Sequence, residues 1–360
     1  MRALELAESL GDSEYQLRAL LGLYFFHMAN RRYRAALPFA QRFYDLAASR
    51  LNSDDKRGEN MLAIVEHYLG AHQNARGRCE SILSNYLPND RRADIIRFQY
   101  DLRVSSRTFL ARILWLQGFP DQARRAAEAT VEDAQAINHA ASLCQALALA
   151  ACPIALWVGD RAAAKRSMET LVHYSREFGL SLWSLFGSHY EGVLRIVGDD
   201  LDAGFRQLGV GLDAFAEGRS RYRIWDGVTE LVEALGRARR FAEGLALVEV
   251  GIELAEGGWL ASEVLRLKGE LLSLQGDPAD AEASETYFHR ALEAARQQGA
   301  LSWELRAATS LARLLRKQGR HREANACLEP VYDRFTEGFG TADLIVAKQL
   351  LDELGDRGRR

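Results

Sequence analysis

Apolar residues recur every three or four positions through most of the chain, which is the spacing of one face of an α-helix. The segment 302–318 shows this clearly, because Trp303, Leu311 and Leu315 fall on one side of a helix while Arg306 and Arg313 fall on the other. No run alternates apolar and polar residues long enough to predict a β-strand. The pattern therefore predicts a chain built from amphipathic helices.

Glycines that follow apolar helical runs recur at intervals of 38 to 48 residues, and the fifth residue after each is alanine in six of seven cases. These glycines are Gly70, Gly118, Gly159, Gly198, Gly236, Gly276 and Gly319. Since glycine readily adopts the left-handed conformation that ends many helices, each is predicted to end the first helix of a pair. Asp160, Asp199 and Asp277 directly follow three of them and are predicted to cap the second helix.

A helix pair repeated about every 40 residues predicts an all-α fold, a tetratricopeptide-like (TPR-like), right-handed α-α superhelix of about eight helix pairs plus a C-terminal capping helix. The pairs are expected near 12–49, 55–87, 93–138, 139–179, 180–218, 219–257, 258–299 and 300–337, with a loop at 86–94. The whole chain, 1–360, is predicted to be a single solenoid. It divides into a remnant of a preceding repeat helix (1–11), helix-pair repeats (12–340), a capping helix (341–355) and a disordered tail (356–360). Because the pattern opens halfway through a repeat, we expect the chain to be the C-terminal part of something larger or the product of a start-site truncation.

The net charge of −3 argues against direct nucleic-acid binding, because such scaffolds usually carry a basic surplus. The four cysteines show no metal-binding spacing and are expected to be reduced, as in a cytoplasmic protein. The N-terminus shows no signal peptide. The apolar stretch 143–158 is shorter than the roughly 20 residues of a membrane span, so it predicts a buried helix and no membrane partner.

Known catalytic and cofactor-binding motifs are missing from the sequence. It contains no nucleotide phosphate loop, and the glycines at 209 and 211 fall in a helical pattern that no strand precedes. Ser188 is not part of a nucleophile elbow. His67 and His72 are five residues apart and would diverge around a helix. We therefore predict no catalytic, cofactor-binding or metal-binding residues, no cofactor and no enzyme activity.

One arginine-rich segment is a candidate binding surface. If it is helical, Arg97 and Asp101 lie one turn apart, as do Arg103 and Arg107. The first helices of such pairs line the concave groove of a solenoid, where these four residues could bind a carboxylate or phosphate of a partner. The alternative is an ion-pair ladder that fixes the junction between the second and third repeats.

Tryptophan recurs roughly once per repeat. Aromatic side chains can be anchors of an interface, but at this spacing they are expected to be wedges between successive helix pairs. The six positions are Trp115, Trp157, Trp183, Trp225, Trp259 and Trp303.

Three segments resemble the C-terminal tetratricopeptide region of large bacterial signal-transduction ATPases: Gly258 to Leu272, 300–313 and 330–339. Some members of this family carry a winged-helix DNA-binding domain and act as transcriptional regulators, and others carry a class III nucleotidyl cyclase domain. The segment 109–118 resembles the winged-helix type more closely. The chain has none of the family's ATP-binding, DNA-binding or cyclase residues. The resemblance therefore implies only the sensing and protein-interaction role.

The sequence thus predicts a non-catalytic protein-interaction and effector-sensing scaffold, the TPR sensor region of a bacterial transcriptional regulator. Two alternatives stay open: the regulatory tail of an ATPase-linked nucleotidyl cyclase, and a stand-alone TPR adaptor. The expected partner is a protein or peptide, with a small effector as a further candidate. Neither the oligomeric state nor the identity of the partner follows from the sequence.

Overall fold

The structure is a computed structural model that describes residues 2–50, 56–85, 95, 100–209, 227–255, 258–276 and 278–358. These residues form helices joined by turns, and no β-strand occurs among them. In chain order the helices are α1 (Arg2–Ser9), α2 (Ser13–Ala29), α3 (Tyr33–Arg50), α4 (Arg57–Tyr68), α5 (His72–Asn85), α6 (Leu102–Leu116), α7 (Pro120–Ala136), α8 (Ala140–Val158), α9 (Arg161–Glu177), α10 (Ser181–Val197), α11 (Leu201–Leu208), α12 (Val228–Arg237), α13 (Phe241–Ala255), α14 (Ala261–Gln275), α15 (Pro278–Gln298), α16 (Leu301–Lys317), α17 (His321–Tyr332) and α18 (Ala342–Gly358).

From α1 to α11 and again from α12 to α18, each helix packs on the next helix in the chain, which confirms the predicted all-α solenoid of TPR-like helix pairs. In a pair, an even-numbered first helix from α2 to α16 is followed by an odd-numbered second helix. The last helix, α18, follows the eighth pair and continues to Gly358, three residues beyond its predicted end. The predicted loop at 86–94 lies outside the described residues. The predicted division of the whole chain into one domain stays a prediction.

The register of the pairs is set by one residue with positive φ in the turn between the two helices. These residues are Arg31, Gly70, Gly118, Gly159, Asp199, Arg239, Gly276 and Gly319. In seven of the eight turns, the fifth residue after it is a small buried residue: Ala36, Ala75, Ala123, Ala164, Gly204, Gly244 and Ala324. A small side chain at this point lets the two helices pack closely, so the spacing of five has a steric cause.

Two of the predicted helix-ending glycines do not adopt the left-handed conformation. Gly198 has a φ of −87°, and Gly236 lies within α12. Asp199 (φ 67°) and Arg239 (φ 58°) take the left-handed position instead. The two turns therefore come one and three residues later than predicted, and the small buried residue moves by the same number of positions.

The three predicted aspartate caps have different outcomes. Asp160 accepts a hydrogen bond of 2.9 Å from the Ala163 N–H and caps α9 as predicted. Asp199 is not a cap, because it is the left-handed residue of its turn and Asp200 precedes α11. Asp277 lies outside the described residues.

The helix α8 is the one described helix that is long and apolar enough to cross a membrane, but 78% of its most apolar window is buried inside the protein. It contains a π-helical segment, Leu147–Ala151, directly before Cys152 and Pro153. Proline cannot donate a backbone hydrogen bond, and a local widening of the helix accommodates such a gap. α8 is therefore a core helix of the solenoid.

The superhelix closes on itself, because the ends of first helices in its N-terminal half meet the starts of first helices five pairs later. At the start of α14, the Trp259 N–H donates a hydrogen bond of 3.1 Å to the carbonyl of Tyr68, the last residue of α4. At the start of α16, the Ser302 hydroxyl donates to the Trp115 carbonyl near the end of α6. Helix ends carry partial negative charge and helix starts partial positive charge, so these end-to-start junctions are electrostatically favourable.

Glycine is needed at two of these junctions for steric reasons as well as for its conformation. Gly118 and Gly159 follow α6 and α8, and both have a φ of 88°. A Cβ atom on Gly118 would lie 2.6 Å from Cδ2 of Leu301, the first residue of α16. On Gly159 it would lie 2.8 Å from the Cβ of Ala342, the first residue of α18. At these two points the turns of the superhelix therefore lie so close together that a Cβ atom on either glycine would overlap the facing helix.

A polar contact reinforces the closure between the start of α7 and the loop that precedes α18. The backbone N–H of Gln122 donates to Glu337 Oε1 over 2.9 Å, and its side-chain amide donates to Oε2 over 3.1 Å. In return, the Gly338 N–H donates to Asp121 Oδ2 over 3.0 Å. A carboxylate at a helix start is well placed to accept from its free N–H groups.

Candidate functional site

The predicted arginine surface on α6 is occupied by contacts within its own helix pair. Arg103 Nε lies 3.1 Å from Asp133 Oδ2 on α7, and Arg107 also pairs with Asp133. Asp101 is buried and caps α6, where it accepts from the Val104 N–H over 2.8 Å. Arg97 lies outside the described residues. This arrangement fits the ion-pair alternative, while partner binding by these residues stays a prediction.

Four of the six tryptophans meet at the closure, which the sequence pattern did not predict. Trp115 and Trp157 lie in the last turns of α6 and α8, while Trp259 directly precedes α14 and Trp303 lies in the first turn of α16. The ring centroids of Trp115 and Trp303 are 4.7 Å apart, and those of Trp157 and Trp259 are 6.0 Å apart. These four residues are called the tryptophan cluster below. Trp183 instead packs on Phe186 within α10, and Trp225 lies outside the described residues.

Two arginines pack their guanidinium planes on the tryptophan cluster. Arg112 lies 5.1 Å from the ring centre of Trp157 and 4.9 Å from that of Trp259. Arg306 lies 5.1 Å from the ring centre of Trp115 and 5.0 Å from that of Trp303. A cation over an indole face is attracted by the ring quadrupole, more strongly where water is excluded. Each arginine therefore bridges the two turns of the superhelix.

Arg306 also belongs to a buried ion network centred on Glu263. The Glu263 carboxylate is fully buried and accepts from Arg266 Nη2 at 2.8 Å, from Arg306 Nη1 at 3.3 Å and from the Thr229 hydroxyl at 2.6 Å. Arg306 Nε donates in addition to Asp343 Oδ2 over 2.8 Å. The network thus joins α12, α14, α16 and α18.

The charge state of Glu263 follows from these partners. Burial raises the pKa of its carboxyl, but the guanidinium groups of Arg266 and Arg306 and the Thr229 hydroxyl lower it by more, to about 2. The carboxylate is therefore ionised throughout the neutral range. Arg266, also buried, has further carboxylate partners in Glu233 at 3.1 Å and Glu270 at 3.4 Å.

A cavity of about 360 Å³ lies above this network, and we refer to it as the closure cavity. Its volume is at the lower end of the range of small-molecule pockets. Residues of both signs line it, together with hydroxyl and apolar groups: Leu156, Gly159, Arg161, Ile196, Val197, Asp199, Thr229, Glu230, Glu233, Arg237, Arg266, Arg306, Thr309, Ser310, Arg313, Ala342, Asp343 and Val346. The cavity is thus walled by α8 and α10 on one side and by α12, α14, α16 and α18 on the other.

Glu230 is the unusual member of this lining. Its Oε2 atom is buried and has no hydrogen-bond partner among the described residues. Burial raises the pKa of this carboxyl to about 7, although the Arg306 guanidinium acts in the opposite direction. Glu230 therefore exchanges a proton near neutral pH, and its free oxygen is available to a donor that enters the cavity.

His67 and His72 meet, contrary to the prediction that they diverge. α4 ends before the turn at Gly70 and α5 begins at His72, so the two rings face each other with centroids 5.4 Å apart. Both are buried, and burial lowers their pKa values, that of His72 to about 4. Arg112 Nε donates to His67 Nε2 over 3.3 Å. Among the described residues, no group of three or more His, Cys, Asp or Glu side chains could hold a metal ion.

The serine, glycine and cysteine residues with possible chemical roles lie in ordinary helical surroundings. Ser188 lies in the middle of α10, with no strand before it. Gly209 ends α11 in the left-handed conformation, with a φ of 68°. The four cysteines form no disulfide, and burial raises the pKa of the Cys144 thiol to about 11.

No family model matches the chain, and no curated protein matches it in sequence. Among solved structures, the Rap protein complexed with competence and sporulation factor aligns at a TM-score of 0.46 and 14% identity, over 87% of this chain and 76% of that one. Yeast Tom70 aligns at a TM-score of 0.37 and 12% identity, over 97% of each chain. Similarities at this level say nothing about function, and the fold assignment stands on the helix pairs themselves.

Proposed function

We propose that the chain is a non-catalytic, effector-sensing scaffold that binds a protein or peptide partner, and that it serves as the TPR sensor region of a cytoplasmic bacterial transcriptional regulator. Helical-repeat arrays present extended surfaces whose curvature depends on small rotations between units. A ligand that changes the contact between two turns of such an array would change the surface offered to a partner. The closure is the place in this molecule where such a ligand would act.

The position of Arg306 is the observation that carries this proposal. Its guanidinium lies over Trp115 of the preceding superhelical turn, and the same side chain lines the closure cavity. A ligand that approaches Arg306 or its partner Asp343 would therefore act on a group that also holds the two turns together. A ligand shifts an equilibrium only through a difference in its affinity for the two states, and this contact supplies one.

The resemblance to the regulator family supports the finer part of the proposal. Its segments contain Trp259, Glu263 and Arg266 at the start of α14, Trp303 and Arg306 on α16, and Glu337 in the loop that binds α7. Six residues that build the closure and its cavity thus fall within the three segments. The proposed role in regulation rests on this coincidence of segment and site.

The test is capture of a partner by the immobilised full chain from a lysate of the organism that encodes it, with identification by mass spectrometry. We expect recovery of an ATPase or a winged-helix DNA-binding protein. The matched variant is Arg306→Lys, which keeps the charge but loses the planar guanidinium that stacks on the tryptophans. It is expected to retain its far-UV circular dichroism and to recover a different amount of the partner.

The control is an unrelated helical-repeat protein of similar net charge on the same matrix. If that control recovers the same proteins in the same amounts, the proposal fails. Recovery of a nucleotidyl cyclase with neither an ATPase nor a winged-helix protein would contradict the assignment to a transcriptional regulator.

A further inference from the structure

Some charged groups in the lining of the closure cavity form ion pairs within the protein, and other charged groups in the lining do not. Arg266, Arg306 and Asp343 are joined in the buried network around Glu263. Arg161, Arg237 and Arg313 are exposed and form no ion pair with any described residue, yet they line the same cavity. The cavity therefore has a floor of paired charges and a rim with three available guanidinium groups.

Two carboxylates of the lining form no ion pair with a described residue: Glu230 lies deeper than the three guanidinium groups, and Asp199 lies exposed beside them at the rim. Glu230 is half-buried, and no residue in the described part of the chain forms a hydrogen bond with its buried Oε2 atom. A buried acceptor without a partner is unfavourable, and a donor on a ligand would remove that cost. An ammonium group is a suitable donor, because its positive charge would also favour the ionised carboxylate.

The available guanidinium groups and the available Glu230 carboxylate together do not suit a ligand that carries a single kind of charge. A simple anion such as phosphate would use the arginines of the rim but leave Glu230 without a donor and bring a second negative charge toward it. A lone metal cation would need several ligands, and no group of three or more candidate ligands for a metal occurs among the described residues. A molecule that carries a positive and a negative group fits the distribution of available charges.

Resting on the proposed effector-sensing function, we propose that the closure cavity binds a small zwitterion, with an ammonium group at Glu230 and a carboxylate at the guanidinium groups of Arg237 and Arg313. Free α-amino acids and short peptides share this chemistry. The cavity volume of about 360 Å³ admits an amino acid or a short peptide and is too small for a folded partner. A protein partner would therefore bind elsewhere on the scaffold, and the zwitterion would act as its effector.

The experiment uses the purified full chain and two defined sets of probes, the twenty free amino acids and a pooled library of their dipeptides. Binding is detected as a rise in Tm and is then quantified by titration calorimetry at pH 7.5. We expect at least one unblocked probe to bind the wild type. The set that contains it distinguishes an amino acid from a peptide as the source of the zwitterion.

Two changes on the protein and two on the probe test the assigned contacts. Glu230→Gln and Arg237→Gln are each expected to weaken binding by roughly ten-fold or more, since each removes a charge-assisted hydrogen bond. The N-acetylated and the C-amidated forms of the probe are expected to lose affinity to a similar extent. Arg124→Gln, at an exposed position of α7 that lines neither this cavity nor another described one, is the control variant and should bind as the wild type does.

Several outcomes would overturn the inference. They are no binding of any unblocked probe to the wild type, equal binding by Glu230→Gln, and equal binding of the acetylated probe. The capture experiment separates this failure from failure of the proposed function. If the partner is still captured when no zwitterion binds, only the identity of the effector is wrong. If neither partner capture nor zwitterion binding is observed, the proposed sensing function is wrong as well.

Discussion

Two of the carboxylates that pair with two arginines, Asp133 and Glu263, lie in sites that differ in almost everything else. On α6, Arg103 and Arg107 converge on Asp133 within the same helix pair, and all three side chains are partly exposed. At the closure, Arg266 and Arg306 converge on the fully buried Glu263 from two different pairs. The first site closes a local junction, whereas the second joins four helices and borders a cavity.

Arginine spacing along one helix is therefore a weak guide to function in a repeat protein. Residues one helical turn apart find a partner in the next helix and become a local ion pair. Residues in successive units come together only through the packing of units, and there they can enclose a volume. Arg266 and Arg306, which are 40 residues apart in the chain, are such a pair.

Removal of the shared carboxylate should reveal the largest difference in stability between the two sites. Glu263→Ala removes the fully buried carboxylate that two guanidinium groups share and leaves them only their more exposed carboxylate partners, so we expect a loss approaching about 3–5 kcal/mol in the free energy of unfolding. Asp133→Ala is the matched change at the partly exposed site and should cost about 1 kcal/mol or less. Urea denaturation followed by circular dichroism measures both, and equal losses would refute the distinction.

The close approach at the closure can be measured with two glycines that share a conformation. Gly159 and Gly319 have φ values of 88° and 80°, but only Gly159 faces another helix, whereas a Cβ on Gly319 would meet nothing within 4 Å. Both alanine variants carry the strain of a positive φ. Gly159→Ala adds overpacking against Ala342, so its unfolding free energy should fall by roughly 1–3 kcal/mol more than that of Gly319→Ala. Identical losses in thermal or urea unfolding would show that the two turns do not touch.

Glu230 predicts a pH dependence of a definite sign. Burial raises the pKa of its carboxyl from 4.5 to about 7, so the folded protein keeps a proton that the unfolded chain has lost between these values. Its contribution to stability is fully present below about pH 4 and is lost as the pH rises through about 7. The free energy of unfolding of the wild type minus that of Glu230→Gln should therefore fall by about 1–3 kcal/mol between pH 5 and pH 8. Buried histidines titrate alike in both proteins and cancel in this difference, and a flat difference would contradict the setting of Glu230.

The smallest change in stability is expected for the α6 site itself. The double variant Arg103→Ala and Arg107→Ala should keep its far-UV circular dichroism and lose about 1 kcal/mol or less in unfolding free energy. Partner capture by the same variant decides the predicted role of the surface. Loss of capture would assign the partner to α6, while unchanged capture would leave these arginines with the ion-pair role only.

The helix pairs could be predicted because their determinants are local. A 3.6-residue apolar period and a glycine turn are readable within a window of about 40 residues, and both reflect the conformations of short segments. Asp199 and Arg239 show the limit of this method, because a non-glycine residue also takes the left-handed position when the flanking helices require it. The positions of these two turns were therefore misplaced by one and three residues.

The closure and its cavity could not be predicted because they depend on how small rotations add up over five units. Gln122 and Glu337 are 215 residues apart, and no local pattern relates them. The sequence carried a weaker signal of this site. Glu263, Arg266 and Arg306 are charged residues within α14 and α16, two helices that are buried over most of their length. Charged residues in such helices, together with the tryptophans at the two helix starts, could have marked a buried polar site.

The end of α8 meets the start of α18, and the two superhelical turns enclose the closure cavity there. The most direct measurement is disulfide formation in Gly159→Cys/Ala342→Cys, made in a Cys327→Ser background because Cys327 is the one cysteine that is not buried. A Cβ at position 159 would lie 2.8 Å from that of residue 342. A shift of about 1 Å between the two helices therefore brings the pair into the range of about 3.5–4.5 Å that a disulfide requires. We predict a reductant-sensitive cross-link in the folded protein and none in the control pair Gly319→Cys/Ala342→Cys. Free reaction of both engineered thiols with maleimide, without a cross-link, would contradict the closure.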